Sequence, residues 1–180
     1  QLSGEVPVLQ LPTDRPRPAV QTYRGAMQPF RLPKDLSDSL RQMSQRAGST
    51  VFMTLLASFT GLLHRYTGQD DFVVGTVSAG RKESELHGLL GCFQNPVALR
   101  VDASGDPNFR ELLKRAKSAV LGALSHDDVP FGTLVQELQP ERDLSRSPIL
   151  QVLLSLAPSM PNVDSGWDLK QMSVDVGAAN

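Results

Sequence analysis

Apolar residues recur at helical spacing in two consecutive stretches of the first half of the chain. The first stretch begins at Pro33, which suits the first turn of a helix, and stops at Gly48, a residue that commonly ends one. The second begins after Ser49 or Thr50, either of which can cap a helix, and its apolar stripe is wide enough to face a sheet. The predicted apolar faces are Leu36, Leu40, Met43 and Ala47 in the first helix, and Val51, Phe52, Leu55, Leu56, Phe59, Leu62, Leu63 and Tyr66 in the second.

Short runs of apolar and β-branched residues predict the strands. Residues 72–77 (FVVGTV) and 96–101 (PVALRV) are mostly apolar on both faces, as expected of buried strands. A third strand is predicted over residues 148–156 and a weaker fourth over 169–176. The turn residue Gly68 separates the second helix from the first strand.

Two more helices are predicted between the second and third strands. Asp106 followed by Pro107 predicts the start of a long helix, with the Asp106 carboxylate as its cap and the proline in its first turn. A short helix is predicted from Pro130 to about Leu138. Because helices and strands interleave, the predicted fold class is α/β, with helices layered on a mixed sheet.

The beginning of the chain follows a different pattern. Residues 11–18 (LPTDRPRP) contain three prolines, and each proline removes a backbone donor and disfavours a helix. We therefore predict that residues 1–21 form an extended linker arm. Residues 22–32 are predicted to be an extended segment that ends at Pro33.

Composition narrows the classes of function. Lys and Arg number 18 against 19 Asp and Glu, a net charge of −1 that argues against a general binder of nucleic acid. No run approaches the roughly 20 apolar residues of a membrane-spanning helix, and no secretory signal stands at the start. Cys92 is the one cysteine, which excludes an internal disulfide and a multi-cysteine zinc site. We therefore expect a cytoplasmic protein with neither nucleic-acid nor membrane partners.

The segment after the first predicted strand, residues 75–82 (GTVSAGRK), has the glycine spacing of a phosphate-binding loop. That loop requires Lys followed by Ser or Thr after its second glycine, whereas Arg81 and Lys82 occupy those places. A nucleophile elbow around Ser78 fails as well, because two residues rather than one separate the serine from the preceding glycine. We interpret the segment as a strand end that turns sharply on glycines.

Three histidines are the candidates for acid–base chemistry. His64 is expected at a helix end and His87 in a turn, and no two histidines have the spacing of a helical metal site, so no metal site is predicted. His126 precedes Asp127, and a neighbouring carboxylate could orient or charge its imidazole for proton transfer. The alternative is that both side chains cap and connect the junction between two helices, and the residues alone favour this structural interpretation.

Two further polar groups have open interpretations. Residues 141–148 (ERDLSRSP) hold two arginines and two carboxylates, which could bind an anion or could satisfy one another and nearby carbonyls at a strand entrance. We favour the second interpretation. Asn95 could fix a tight turn or present its amide to a cleft.

Several segments in this order resemble the condensation domains of non-ribosomal peptide synthetases. Residues 11–18 resemble the family's linker into its second lobe, and the stretch 66–81 fits the region that follows. Residues 90–100 (LGCFQNPVALR) are similar to the motif (I/V)GxFVNT with a following strand that ends in Arg. Residues 126–131 (HDDVPF) resemble HQDxPF, and residues 142–149 (RDLSRSPI) resemble RDxSRNPL.

The chain departs from these motifs at several positions. Gln94 and Pro96 stand where Val and Thr are usual, Asp127 replaces Gln, and Gly132 replaces an acidic residue. Pro96 has neither a backbone donor nor the hydroxyl of the usual Thr. The family's HHxxxDG motif, whose second His acts in amide formation, is not among the 180 residues.

The resemblance implies one lobe of a chloramphenicol acetyltransferase-like fold, with residues 1–21 as the linker arm from a first lobe and residues 22–180 as an incomplete C-terminal lobe. It implies a tunnel in which a carrier-bound aminoacyl acceptor attacks a carrier-bound acyl or peptidyl donor. No catalytic residue is expected in this chain, which is predicted to be inactive alone. No cofactor is expected to bind directly, since both substrates are carried on the phosphopantetheine of partner carrier proteins. The expected partners are the upstream and downstream carrier-protein domains and the first lobe.

The resemblance also implies roles for single residues. The residues expected to face the tunnel are Thr76, Ser78, Gly80, Arg81 and Asn95. The residues expected to give structural support are His126, Asp127, Pro130, Phe131, Arg142, Asp143 and Arg146. The rival functions are a non-catalytic carrier-docking or scaffold module of the same fold, and an epimerising or cyclising member of the family. A free-standing coenzyme A acyltransferase would need a His-containing motif of its own.

Overall fold

The computed structural model describes residues 2–157. In chain order its helices and strands are α1 (Lys34–Arg46), α2 (Val51–Thr67), β1 (Asp71–Ser78), β2 (Asn95–Asp102), α3 (Phe109–Leu124) and α4 (Phe131–Leu138), with one 3-10 turn (Ser84–Leu86) between the strands. The four helices and the first two strands are those predicted from the pattern of apolar residues. The class is α/β, as predicted.

The two strands form an antiparallel hairpin at the centre of the described residues. Asp71 lies opposite Asp102 at one end, and Ser78 lies opposite Asn95 at the other. Both faces of the hairpin are covered, because consecutive residues that point to opposite faces are equally inaccessible: Phe72, Val73 and Val74 are all 0% exposed. This explains why the apolar run of β1 does not alternate with polar residues.

Two apolar cores cover the two faces of the hairpin. The larger core joins one face to α2 and α3, and its buried members include Leu56, Leu63, Phe72, Leu99 and Leu113. The smaller core lies on the opposite face, where Val73, Ala98, Ile149 and Leu150 pack with partly buried residues of α4. The hairpin is therefore the middle layer between helices.

The predicted apolar faces of α1 and α2 are correct only in part. Leu36, Leu62 and Tyr66 are more than two-fifths exposed, whereas Ser44 and Thr54 are buried. The Ser44 hydroxyl donates to the Leu40 carbonyl and shares a hydrogen bond of 2.7 Å with the Thr54 hydroxyl. Two small hydroxyl residues that satisfy each other let the helices approach closely, so the contact face contains residues that a count of large apolar side chains omits.

The predicted cap of α3 is wrong. Asp106 lies outside the helix with φ of +48°, and the N-cap is Asn108, whose side chain accepts a hydrogen bond of 3.1 Å from the Glu111 amide. An Asn at this position satisfies an amide of the first helical turn as an Asp would. The α3 helix itself, over Phe109–Leu124, is close to the predicted one.

The predicted third strand over 148–156 does not form as a full strand in the described residues. Only Leu153 bridges to β1, in the parallel sense at Gly75, and the Gly75 carbonyl accepts from the Leu154 amide at 2.9 Å. Buried Ile149 has φ of +63°, a value outside the extended region, so the backbone turns where the strand was expected to begin. The predicted fourth strand over 169–176 lies outside the described residues.

The arm at the start of the chain has no helix or named strand within residues 2–32, but one of its residues is anchored in the core. Leu9 is 2% exposed and belongs to the larger core. The Gln69 side chain holds the backbone on either side, since it donates to the Val8 carbonyl at 3.0 Å and accepts from the Gln10 amide at 2.7 Å. The boundary at residue 21 stays a prediction.

No single helix in residues 2–157 is long and apolar enough to cross a membrane. The α1–α2 pair passes that test together by length and composition, and it is bent by 103°.

Candidate functional site

The residues predicted to face a tunnel cluster at one end of the hairpin. Ser78 and Asn95 are cross-strand partners there, and buried Thr76 lies two pairs further along the hairpin, on the same face of the strand as Ser78. Gly80 and Arg81 follow in the loop between the strands, residues 79–94, which we call the β1–β2 loop. The structure thus brings these five residues to one place, and whether they face a tunnel stays a prediction.

The Asp127 carboxylate is the polar centre of this end of the hairpin. Its side chain is only 4% exposed. The Ser78 hydroxyl donates to Oδ2 of Asp127, and the Lys82 ammonium contacts Oδ1. A buried carboxylate requires partners of this kind, since an unpaired one would bear a large desolvation cost.

Hydrogen bonds and opposite charge together outweigh the effect of burial on the pKa of Asp127. Burial raises the pKa of Asp127, but hydrogen bonds from Lys82 and Ser78 together hold the pKa below its usual value. The hydrogen bond to Asp127 raises the pKa of Lys82 against the effect of desolvation, and Asp128 adds to it. Both groups are therefore charged near neutral pH.

Asn95 connects the start of β2 to the junction between α3 and α4, residues 125–130. Its Nδ2 donates to the carbonyls of Asp127 at 2.9 Å and Val129 at 2.8 Å, and its Oδ1 accepts from the Phe131 amide at 3.0 Å. All three bonds are made to backbone groups. Of the two interpretations left open above, the geometry supports the one in which Asn95 fixes a turn.

Gly80 and Arg81 shape the β1–β2 loop from within. Gly80 has φ of +63°, and a side chain there would overlap the carbonyl oxygen of Phe93. The Arg81 guanidinium donates to the carbonyls of Leu86 and Gly91 and lies 4.3 Å from the centre of the Phe93 ring. The loop therefore folds back on its own first residues, with Arg81 at its centre.

The imidazole of His126 and the carboxylate of Asp127 have different partners. Nδ1 of His126 lies 2.8 Å from the Ser125 hydroxyl and 3.1 Å from the Gly122 carbonyl, both at the end of α3. The Asp127 carboxylate instead faces Ser78 and Lys82. This geometry supports the interpretation in which both residues have a structural role at the helix junction. In the same junction Pro130 is the N-cap of α4.

The cluster around Asp143 largely satisfies itself. The Asp143 carboxylate accepts from the Ser145 amide at 2.8 Å and from the Arg146 guanidinium. Hydrogen bonds from the hydroxyl and then the amide of Ser145, with a further one from Arg146, lower the pKa of Asp143 to about 2. The Leu144 carbonyl accepts from the Gln21 amide at 2.8 Å, which links the cluster to the arm.

A groove of about 1170 Å³ lies beside this cluster. The arm around Val6, the end of α4 and the Arg142 and Arg146 side chains line it. A smaller groove of about 370 Å³ is lined in part by Arg17, Phe131 and Arg146. Among residues 2–157 no group of three or more His, Cys, Asp or Glu side chains could hold a metal ion.

Sequence reasoning missed Lys82 and Phe93 as parts of this site. Lys82 contacts Asp127 across 45 positions, and Phe93 stacks on Arg81 from the far side of the loop. Lys82 stands in the glycine-spaced stretch 75–82 and Phe93 in the stretch similar to (I/V)GxFVNT, but neither pattern indicates these contacts. The one available signal was the pairing of the two strands, which places both ends of the loop beside each other.

Solved structures define the class to which this arrangement belongs. Holo-AB3403, a four-domain nonribosomal peptide synthetase bound to AMP and glycine, matches 83% of this chain with a TM-score of 0.81 and 31% identity, over 11% of its own length. The X-domain from teicoplanin biosynthesis, solved alone and in a complex with OxyB, matches 84% of this chain with a TM-score of 0.78 and 33% identity, over 34% of its length. The fold is that of a condensation-type lobe.

The chain belongs to the condensation-domain family, whose profile matches residues 1–175. One component of the linear gramicidin synthase of Brevibacillus parabrevis is 47% identical over 176 residues, which are 98% of this chain and 4% of that protein. Surfactin synthase subunit 1 of Bacillus subtilis (strain 168) is 40% identical over 167 residues, 93% of this chain and 5% of that protein. The resemblance stated from the motifs is thereby confirmed. The chain spans only a small part of the relatives that it matches.

Proposed function

We propose that these residues are part of a condensation domain that forms amide bonds in non-ribosomal peptide or hybrid polyketide–peptide synthesis. The observation that carries this proposal is the family match over residues 1–175, with synthetase subunits up to about half identical to the chain. The substrates would be an acyl or peptidyl donor and an aminoacyl acceptor, each held as a thioester on a partner carrier protein. The exposed free thiol of Cys92 suits a reducing compartment, and we expect the cytoplasm.

In the proposed reaction the acceptor amine attacks the donor thioester carbonyl. The new carbon–nitrogen bond replaces the carbon–sulfur bond, the donor carrier's pantetheine leaves as a thiol, and the amine loses a proton. Most of the rate enhancement that these residues could supply would come from holding the two pantetheine-bound substrates in line. Correct placement of two reactants removes much of the entropy cost of their encounter. No cofactor is needed for this exchange of an acyl group.

We assign the end of the hairpin to one wall of the substrate tunnel. The polar atoms of Ser78, Arg81 and Asn95 are engaged by other groups of the chain, which suits a rigid wall rather than reacting groups. Buried Thr76 and the tight turn at Gly80 complete it. Because the HHxxxDG motif is not among the 180 residues, we propose that catalysis requires residues outside them.

Mass spectrometry of the product tests the proposal. The complete protein that contains these residues is incubated with a donor-loaded and an acceptor-loaded carrier protein, and the acceptor carrier is examined for the added acyl mass. We expect product from the complete protein and none from the 180-residue chain. Absence of product with carriers verified as loaded would contradict the condensation function, and product from the 180 residues alone would contradict their inactivity. A donor-loaded carrier with an unloaded acceptor carrier is the control.

A non-catalytic docking module is the second candidate. It is favoured by the X-domain of teicoplanin biosynthesis, which has been solved in a complex with OxyB and shares 33% identity with this chain. Calorimetry with a carrier protein separates the two functions. Carrier binding by the 180 residues with the same affinity as the complete protein, and no amide product from either, would favour the docking module.

A further inference from the structure

We propose that Lys82 and Asp127 form a positioning pair that holds the β1–β2 loop against the α3–α4 junction. The pair is not part of the reaction chemistry proposed above. Its effect would be to fix Ser78, Gly80 and Arg81 in the tunnel wall, and this consequence rests on the proposed function. The holding of the loop does not depend on that function.

The Lys82 ammonium has three oxygen acceptors on the junction side. It contacts Oδ1 of Asp127, lies 3.2 Å from Oδ1 of Asp128 and donates to the Leu124 carbonyl at 3.2 Å. The contact with the Leu124 carbonyl is a hydrogen bond, and the contacts with the two carboxylates are ion pairs. Lys82 is the fourth residue of the loop, so its side chain ties the loop directly to the end of α3.

The two members of the pair differ in burial, and this difference predicts which one matters more. The Lys82 side chain is 45% exposed and can reach water if its partner is lost, whereas the Asp127 side chain is 4% exposed and cannot. Removal of one partner from a buried pair leaves an uncompensated charge, which costs more than the pair itself contributes. Loss of Lys82 should therefore disturb the site more than neutralisation of Asp127.

Asn95 holds the other end of the same loop to the same junction. It donates to the backbone of Asp127 and Val129, while Ser78 and Lys82 bind the Asp127 side chain. Both ends of the loop are thus fixed to residues 124–131, at the Lys82 end by charge and at the Asn95 end by amide hydrogen bonds. Only the Lys82 end can be tested by removal of charge alone.

Hydrogen exchange of the complete protein tests the pair. The probes are the amides of Leu86, His87 and Leu89, which donate to carbonyls inside the loop, with the amides of α2 as the global reference. In Lys82→Met we expect loop exchange about tenfold faster with α2 unchanged, and in Asp127→Asn a smaller increase. Lys82→Arg retains the charge and should stay within about twofold of the wild type. Lys114→Met, which removes a lysine that is 80% exposed, is the matched control.

Three outcomes are decisive. Loop exchange that stays within about twofold of wild type in Lys82→Met contradicts the proposal that Lys82 and Asp127 hold the loop. An equal increase in the loop and in α2 also overturns it, because it would show a general loss of stability. Faster exchange confined to the loop, reversed in Lys82→Arg, supports it.

Amide formation is measured on the same variants, and a lowered kcat/KM in Lys82→Met that Lys82→Arg restores supports the effect on the tunnel wall. A wild-type protein that forms no amide would contradict the proposed function. The positioning role of Lys82 and Asp127 would then be judged by the exchange result alone.

Discussion

The centre and the Ser78–Asn95 end of the β1–β2 hairpin are held by different kinds of interaction. At the centre, Phe72 and Leu99 are 0% exposed and pack against apolar residues of α2 and α3. At the end, hydroxyl, ammonium and amide groups converge on Asp127 and the backbone beside it. Apolar packing depends mainly on the amount of buried surface, whereas the polar network depends on which atom meets which. The centre therefore gives stability, and the end gives a fixed geometry.

The largest expected effect on the free energy of unfolding comes from a substitution in the apolar centre. Phe72→Ala removes a fully buried ring and should lower the free energy of unfolding by about 3–5 kcal/mol. Native-state hydrogen exchange of the slowest amides of α2 in the complete protein measures it. Tyr66→Ala, at a position 65% exposed, is the control and should change stability by less than about 0.5 kcal/mol. A cost at Phe72 as small as at Tyr66 would contradict the assignment of the core.

A smaller effect is expected at the polar end. Asn95→Ala removes three hydrogen bonds to backbone groups and should cost about 2–3 kcal/mol, because the partly buried bonds to the Asp127 carbonyl and the Phe131 amide are lost together with the exposed bond to Val129. Asn95→Asp should cost at least as much, since it places a carboxylate against two carbonyls. The measurement is exchange of the Phe131 amide relative to α2. Unchanged exchange of the Phe131 amide in both variants would contradict the role of Asn95 as the link to the junction.

The smallest effect concerns Asp143, in the motif outside the hairpin. Its pKa of about 2 is below the usual value, so its ionised form stabilises the folded protein above the usual carboxyl range, and this contribution is lost as the pH falls towards 2. NMR titration of the Asp143 carboxyl should show a midpoint near 2, and the shift of the Ser145 amide should follow it. Asp143→Asn should abolish this titration of the Ser145 amide. A midpoint near the usual carboxyl value would show that Ser145 and Arg146 do not hold the ionised form.

Most of the apolar centre could be predicted from sequence because local patterns specify it. The β-branched run of β1, the Thr50 cap of α2 and the Pro130 start of α4 each act within a few residues. The errors arose where tertiary contacts override such patterns. Ser44 is buried through its contact with α2, and the left-handed backbone of Ile149 interrupts a run that is apolar enough for a strand.

The polar end was located by motif resemblance and could not be built from the sequence. Ser78 and Asn95 were named as candidates, but the contact between Lys82 and Asp127 joins residues 45 positions apart. Charge pattern alone does not say which lysine meets which carboxylate, because many surface pairs of this composition contribute little. Only the hairpin register and the position of α3 bring the two together.

Amide formation by two glycine variants tests the central claim most directly. Gly80→Ala would force a side chain into the Phe93 carbonyl at a left-handed backbone position, whereas Gly88→Ala, in the same loop, meets no atom within 4 Å. Both variants of the complete protein are assayed with loaded carrier proteins. We predict that Gly80→Ala lowers the rate at least about tenfold and that Gly88→Ala stays within about twofold of wild type. Equal rates in the two variants, with the α2 reference intact, would contradict the claim that this end of the hairpin shapes the site of condensation.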